Sequence, residues 1–186
     1  MKNKSPFTLF IILLFFQLQS FSQENENKTQ LLKNHEIKID ALDLVFFSAL
    51  EATYEHVSDT SNSYGISAFV NFKDTSGYYE KFAIVPFYRF YFFNKEDFGA
   101  KGFFVEAFSK FASGDSRRLI DPLLLTDMEE INYFDVALGF SLGKKWINSK
   151  GFTFEFSLGG GRNLGLDDNS PEFAFRGGFS LGYQFK

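Results

Sequence analysis

The chain has 186 residues with a formal net charge of −4, and 28 of them are Phe, against one Trp, eight Tyr and no Cys. A chain that is 45% hydrophobic and 23% charged is neither collagen-like nor a highly charged disordered segment, and its length suits one compact domain. The acidic balance, with no basic cluster beyond Arg117-Arg118, excludes an electrostatic footprint for nucleic acid; the lack of Cys excludes disulfides, thiolate metal sites and a cysteine nucleophile.

Lys2 and Lys4 precede an apolar run from Phe7 to Phe16, and Ser20-Phe21-Ser22 supplies a small-x-small cleavage pattern. This layout predicts a secretory signal peptide over 1–22, since the run is too short to cross a bilayer as a helix. Residues 23–35 are polar and aperiodic and read as a flexible lead-in. From there to residue 186, period-2 alternation predicts eight strands: 36–43, 47–57, 63–72, 80–93, 100–113, 133–146, 151–161 and 173–186. The last is the cleanest, with Phe173, Phe175, Phe179, Leu181, Tyr183 and Phe185 on one face and Ala174, Arg176, Ser180, Gln184 and Lys186 on the other. Phe-Ser-Leu-Gly occurs at 140–143, 156–159 and 179–182, one solution reused on neighbouring strands. Pro86 lacks the N–H that a closed sheet needs, which predicts a bulge there.

The connections divide between two ends. Residues 58–62, 94–99 and 147–150 form a short set, and 73–79, 114–131 and 162–171 a longer one. That asymmetry, with both termini at the short end, is that of outer-membrane barrels. In the longest, Asp121-Pro122 is suited to cap a short helix carrying Leu123, Leu124 and Leu125, an apolar cluster for an extracellular partner, the headgroup region or the barrel rim.

Alternation alone does not separate a membrane barrel from a soluble lipocalin-like carrier with its apolar face inside. Volume does. Eight strands enclose a space just wide enough for side chains, and Phe, Leu, Tyr and Ile at nearly every apolar position cannot all fit within it. Small residues with a few charges fit, together with Phe69, Phe87, Phe104 and Phe108, which fall on the polar face. The chain therefore reads as all-β, an eight-stranded antiparallel up-and-down transmembrane β-barrel of outer-membrane type over 36–186, crossing with strands of about ten residues. Its mean hydropathy of −0.13 is consistent with that. Tyr64, Phe72, Phe92, Phe93, Phe134, Trp146, Tyr183 and Phe185, near strand ends, would form interfacial girdles.

The exported N-terminus, the alternating strands, the run Pro86-Phe87-Tyr88-Arg89-Phe90-Tyr91-Phe92 and the closing GGFSLGYQFK resemble the small outer-membrane barrels related to OmpA and OmpX, and a domain-of-unknown-function family of such barrels. The resemblance implies the outer membrane of a Gram-negative bacterium, contact with outer-membrane lipid and lipopolysaccharide, and handling by the barrel-assembly machinery. Phe185 resembles the terminal aromatic signal of that machinery, although Lys186 follows it. The resemblance implies no catalytic residue.

On the inward faces the pattern places Lys38, Asp40, Glu51, Glu55, Arg89, Glu106, Lys110, Asp135, Glu155 and Arg176. Charges so enclosed persist only with partners, so this set reads as a structural network that plugs the lumen, with a narrow ion path as the alternative. His56, Ser58 and Asp59 offer the groups of a lipid A-modifying hydrolase, but neighbours in one turn rarely converge as a triad, and turn chemistry accounts for Ser58-Asp59. His35 falls in the lead-in, and two His without Cys leave no zinc-type constellation. Gly159-Gly160-Gly161 lacks the Lys-Ser/Thr of a phosphate loop. No cofactor motif is present, and the expected role is non-enzymatic.

Overall fold

A computed structural model describes residues 34–72, 80–92, 101–119 and 128–186. The signal peptide over 1–22, most of the lead-in, Phe93 and the segment 121–125 lie outside the described residues. Eight strands, β1 (His35–Asp40), β2 (Ala49–Val57), β3 (Asn62–Asn71), β4 (Glu80–Phe92), β5 (Gly102–Leu119), β6 (Met128–Ile147), β7 (Phe152–Asn163) and β8 (Phe173–Phe185), form a closed antiparallel barrel in chain order. β8 closes it against β1, from His35↔Phe185 to Asp40↔Ser180. Closure leaves no unpaired sheet edge along the wall, which a strand crossing lipid requires.

The alternation separates the two faces as volume requires. Outside stand Tyr64, Phe90, Phe140, Leu142, Leu158, Phe175 and Leu181, all exposed; Phe140 is 68% accessible. Inside lie Phe69, Phe87, Phe104 and Phe108 with a set of buried charges. Three of these rings sit directly across the sheet from a glycine, in the pairs Gly65↔Phe87, Phe108↔Gly139 and Phe104↔Gly143. A Cβ at Gly139 would come within 2.5 Å of the Phe108 ring. Each glycine thus clears the floor on which a lumen ring lies, the aromatic-over-glycine device of curved sheets. The repeated tetrapeptide serves the same end: β6 and β7 pair Ser141↔Gly159 and Gly143↔Ser157 inside, with Leu142↔Leu158 outside.

Several boundaries differ from expectation. β1 starts at His35 and stops at Asp40, whose Oδ1 accepts the backbone N–H groups of Leu42 (2.8 Å) and Asp43 (3.1 Å) and so turns the chain into a π-helical turn, Asp43–Phe47. Ser48 closes that turn at φ 53°. No bulge occurs at Pro86: it faces Ile66 on β3, and on the β5 side the register is the same at Ile84↔Phe111 and Phe87↔Phe108. The shift falls instead between Glu80 and Phe82. The segment between β4 and β5 runs over 93–101, as long as the connections at the opposite end, so the length asymmetry rests on the tight turns 58–61 and 148–151.

The largest departure is in 114–131, expected to be loop. β5 and β6 stay paired to Leu119↔Met128, whereas β4 stops at Gly114 and β7 at Ala137. The pairs beyond Asp115↔Asn132 make a two-stranded ribbon past both neighbours, about 13 Å long at strand rise. Phe134 accordingly lies well inside β6 rather than near its end.

Adding a methyl at a ring-bearing glycine tests this packing. Gly143→Ala should lower the folding stability of the detergent-folded barrel by about 1–3 kcal/mol, the usual cost of overpacking. Urea denaturation followed by fluorescence of Trp146, the single tryptophan, reads it; an unchanged midpoint would show that the Phe104 ring has room.

Candidate functional site

The lumen is filled in layers. Val57, Tyr91 and Phe104 pack at the end holding the tight turns, and Ala49, Phe69, Ala83, Val85, Phe87, Phe108 and Ala112 pack toward the loop end. Between and around them lie, among other buried charges, the carboxylates of Glu36, Glu55, Glu106 and Glu155 and the cations of Lys38, Arg89, Lys145 and Arg176. Strand parity puts them there, each two, four or six residues from another inward side chain.

Glu55 is the hub. It accepts hydrogen bonds from Lys38 Nζ (2.6 Å), Arg89 Nη1 (2.9 Å), Lys145 Nζ (2.8 Å) and the Tyr91 hydroxyl (2.8 Å). Arg89 grips Glu155 with both terminal nitrogens, at 2.8 and 2.9 Å, and donates from Nε to Glu106 at 2.6 Å. Arg176 continues the chain, donating to Glu106 at 2.5 Å, to Glu51 at 2.9 Å and to the Ser67 hydroxyl at 3.1 Å. Lys145 and Gln184 each donate to Glu36 at 3.1 Å. The lumen phenylalanines do more than fill space: the Arg89 guanidinium is held between Phe87 (4.5 Å) and Phe104 (4.4 Å), and Arg176 lies over Phe87 and Phe108. Cation–π contact of this kind offsets part of the desolvation of a buried cation.

Of the residues singled out from the sequence, Lys38, Glu51, Glu55, Arg89, Glu106, Glu155 and Arg176 meet in this one network. Lys110 sits nearer the loop end, paired with Glu80 at 2.5 Å and donating to the Phe175 carbonyl. It borders a recess of about 20 Å³ with Glu51, Glu80 and Arg176, space for little more than a water. Asp40 shapes the first turn. Asp135 does not join the network: its carboxylate accepts from the Ser170 hydroxyl and from the backbone N–H groups of Val136, Gly165 and Leu166, tying the 164–172 segment to the rim.

Glu36, Lys145 and Tyr91 were not singled out, although Glu36 shares the parity of Lys38 and Lys145 that of Asp135 and Gly143. That spacing was the available signal. The carboxylates of Glu36, Glu55 and Glu155 lie within 4.8 Å of one another, the spacing of a cation site, but the ammonium groups of Lys38 and Lys145 already bond to them. Among the described residues, the buried Glu36 Oε1, Ser63 Oγ and Thr153 Oγ1 have no hydrogen-bond partner in the protein.

The hydrolase arrangement does not assemble at 56–59. Asp59 accepts from the Asn62 side chain and from the backbone N–H groups of Ser61 and Asn62, closing the β2–β3 turn. Those hydrogen bonds, the Asn62 amide first, hold its carboxyl below the usual aspartate range. His56 is in tilted ring contact with Tyr64 and His35 on the outer face.

The two tiers of the network predict unequal mutant costs. Glu55→Gln leaves Lys38, Arg89 and Lys145 short of a shared counter-charge and should destabilise the barrel by about 3–5 kcal/mol. Glu51→Gln, at the partly exposed end, should cost about 1 kcal/mol or less. Denaturation midpoints of the two variants check this, and equal costs would contradict a hub at Glu55.

No protein-family model matches the chain, and no curated protein sequence does. Among solved structures it is similar to the N-terminal β-barrel domain of Pseudomonas aeruginosa OprF, at 12% identity and a TM-score of 0.49, covering 83% of this chain and 98% of that domain.

Proposed function

We propose that this chain is a non-enzymatic outer-membrane protein: a β-barrel exported through a cleaved signal peptide over 1–22, plugged by its charge-paired lumen, and acting in the envelope or at the cell surface. One observation carries this, the inverted polarity of the barrel. Its wall exposes Phe, Leu and Tyr, while ions of both signs lie buried inside. In water such a wall would be a large apolar liability; against hydrocarbon it is the expected surface. The outward rings group as an interfacial belt needs them. Trp146–Phe154, Phe156–Phe179 and Phe152–Tyr183 are in ring contact at 5.3, 4.8 and 5.3 Å, and Lys144 lies over Phe103 and Trp146 as a snorkelling lysine would.

The partners that follow are outer-membrane lipid and lipopolysaccharide around the wall, the barrel-assembly machinery during biogenesis, and an extracellular partner met through the segment 114–131. Four cations and four carboxylates locked to one another leave no wide water-filled path, which favours the plug over a narrow porin-like channel.

Cell fractionation followed by planar-bilayer recording of the full chain tests this. The protein should fractionate with the outer membrane, migrate differently on a detergent gel before and after boiling, and give no steady conductance. A chain soluble without detergent would overturn the membrane assignment, and stable channel openings would overturn the plug.

A further inference from the structure

The chain contains two histidines. They are 21 positions apart in sequence, yet β1 and β2 set them directly opposite one another as the pair His35↔His56. Both point outward, since the inward parity belongs to Glu36 and Glu55, and both are half-buried. They belong to a cross-strand row, Phe185–His35–His56–Tyr64–Tyr88, at the end of the barrel where β1 begins and β8 ends.

We propose that His35 and His56, too few for a closed four-ligand zinc site but brought opposite one another by the strand register, form an open two-imidazole clamp for a divalent transition-metal ion of the copper(II) or zinc(II) class. The ring centroids are 5.1 Å apart. With metal–nitrogen bonds of about 2.0–2.1 Å, each ring centre stands about 3.2 Å from a bound ion, so this separation corresponds to an N–metal–N angle on the order of 105°, near tetrahedral. Imidazole is the ligand these metals favour, and water fills the remaining positions of a half-exposed site.

A second contact prepares the clamp. His35 Nδ1 lies 2.6 Å from the Tyr54 hydroxyl. With hydrogen on Nδ1, that N–H donates to the hydroxyl oxygen, fixing the ring and leaving the Nε2 lone pair free for a metal, the outer-shell arrangement usual for ligating histidines. The flanking rings of Tyr64 and Phe185 hold the pair from either side, with centroids 5.1 Å from His56 and 5.7 Å from His35, and none of the outward neighbours in this row is a cation that would repel the ion. Bound there, the ion would cross-link β1 to β2 beside the β1–β8 closure. The clamp rests on the β1–β2 register and the ring contacts of the outer face and stands whether or not the lumen is plugged.

The full chain, folded in detergent, is titrated calorimetrically with zinc(II) alone and with copper(II) alone, alongside His35→Ala, His56→Ala and the double variant. The wild type should bind one ion per chain, each single variant at least tenfold more weakly, and the double variant should show no such site. The gel shift on boiling reports separately that each variant is folded. Electron paramagnetic resonance of the copper(II)-loaded wild type should show hyperfine coupling from two nitrogens, a readout that needs no variant. Unchanged affinity in a folded double variant, or a copper spectrum without nitrogen coupling, would overturn the clamp.

Discussion

An eight-stranded cylinder fixes its own interior width, and any charge placed inside is cut off from water by the wall. That constraint orders the rest of the molecule. Each buried charge needs a partner within reach, and Glu36, Glu55, Glu106 and Glu155 bond with Lys38, Arg89, Lys145 and Arg176 across seven strands. The glycines follow from the same limit on width: Gly182 leaves the stem of Lys38 its space, as Gly143 does for the ring of Phe104. Bulk and charge on one strand are bought with smallness on the next.

The outer face answers the opposite demand. A closed ladder has satisfied its own backbone, so the wall can be as apolar as its surroundings, and residues as large as Phe140 and Phe173 stand out without touching the core. Because neighbouring residues face opposite sides of the wall, no long apolar segment is needed, and a barrel with an apolar outer face keeps a mean hydropathy near zero. The ribbon beyond Asp115↔Asn132 is where the two demands end: its strands outrun their neighbours and continue as a pair.

Strand number, order and facing were legible because they rest on a period of two, which survives ignorance of every contact. So were Phe69, Phe87, Phe104 and Phe108 as inward rings, each being out of place among polar neighbours. What escaped depends on register between distant segments. The stacking of Arg89 between Phe87 and Phe104 joins β4 to β5, and the His35↔His56 pair needs β1 to begin one residue earlier than its alternation suggests. The extended β5–β6 ribbon was hidden because Gly114, Asp115 and Ser116 look like turn chemistry, whereas cross-strand pairing overrides local preference there. Pro86 needed no bulge because the ladder to β5 tolerates a gap without slipping.

The claim that the rings face hydrocarbon while the ions face one another is tested most directly by spin labels on single cysteines, which a chain without native Cys accepts cleanly. Labels placed in turn along β7 and β8, in the full chain folded into lipid bilayers, are probed for collision with molecular oxygen and with a water-soluble nickel chelate. Outward positions such as Leu158 and Leu181 should be accessible to oxygen and shielded from the chelate, and inward positions such as Ser157 and Ser180 shielded from both, alternating residue by residue. Outward labels that meet the chelate freely, or a profile without alternation, would contradict the account.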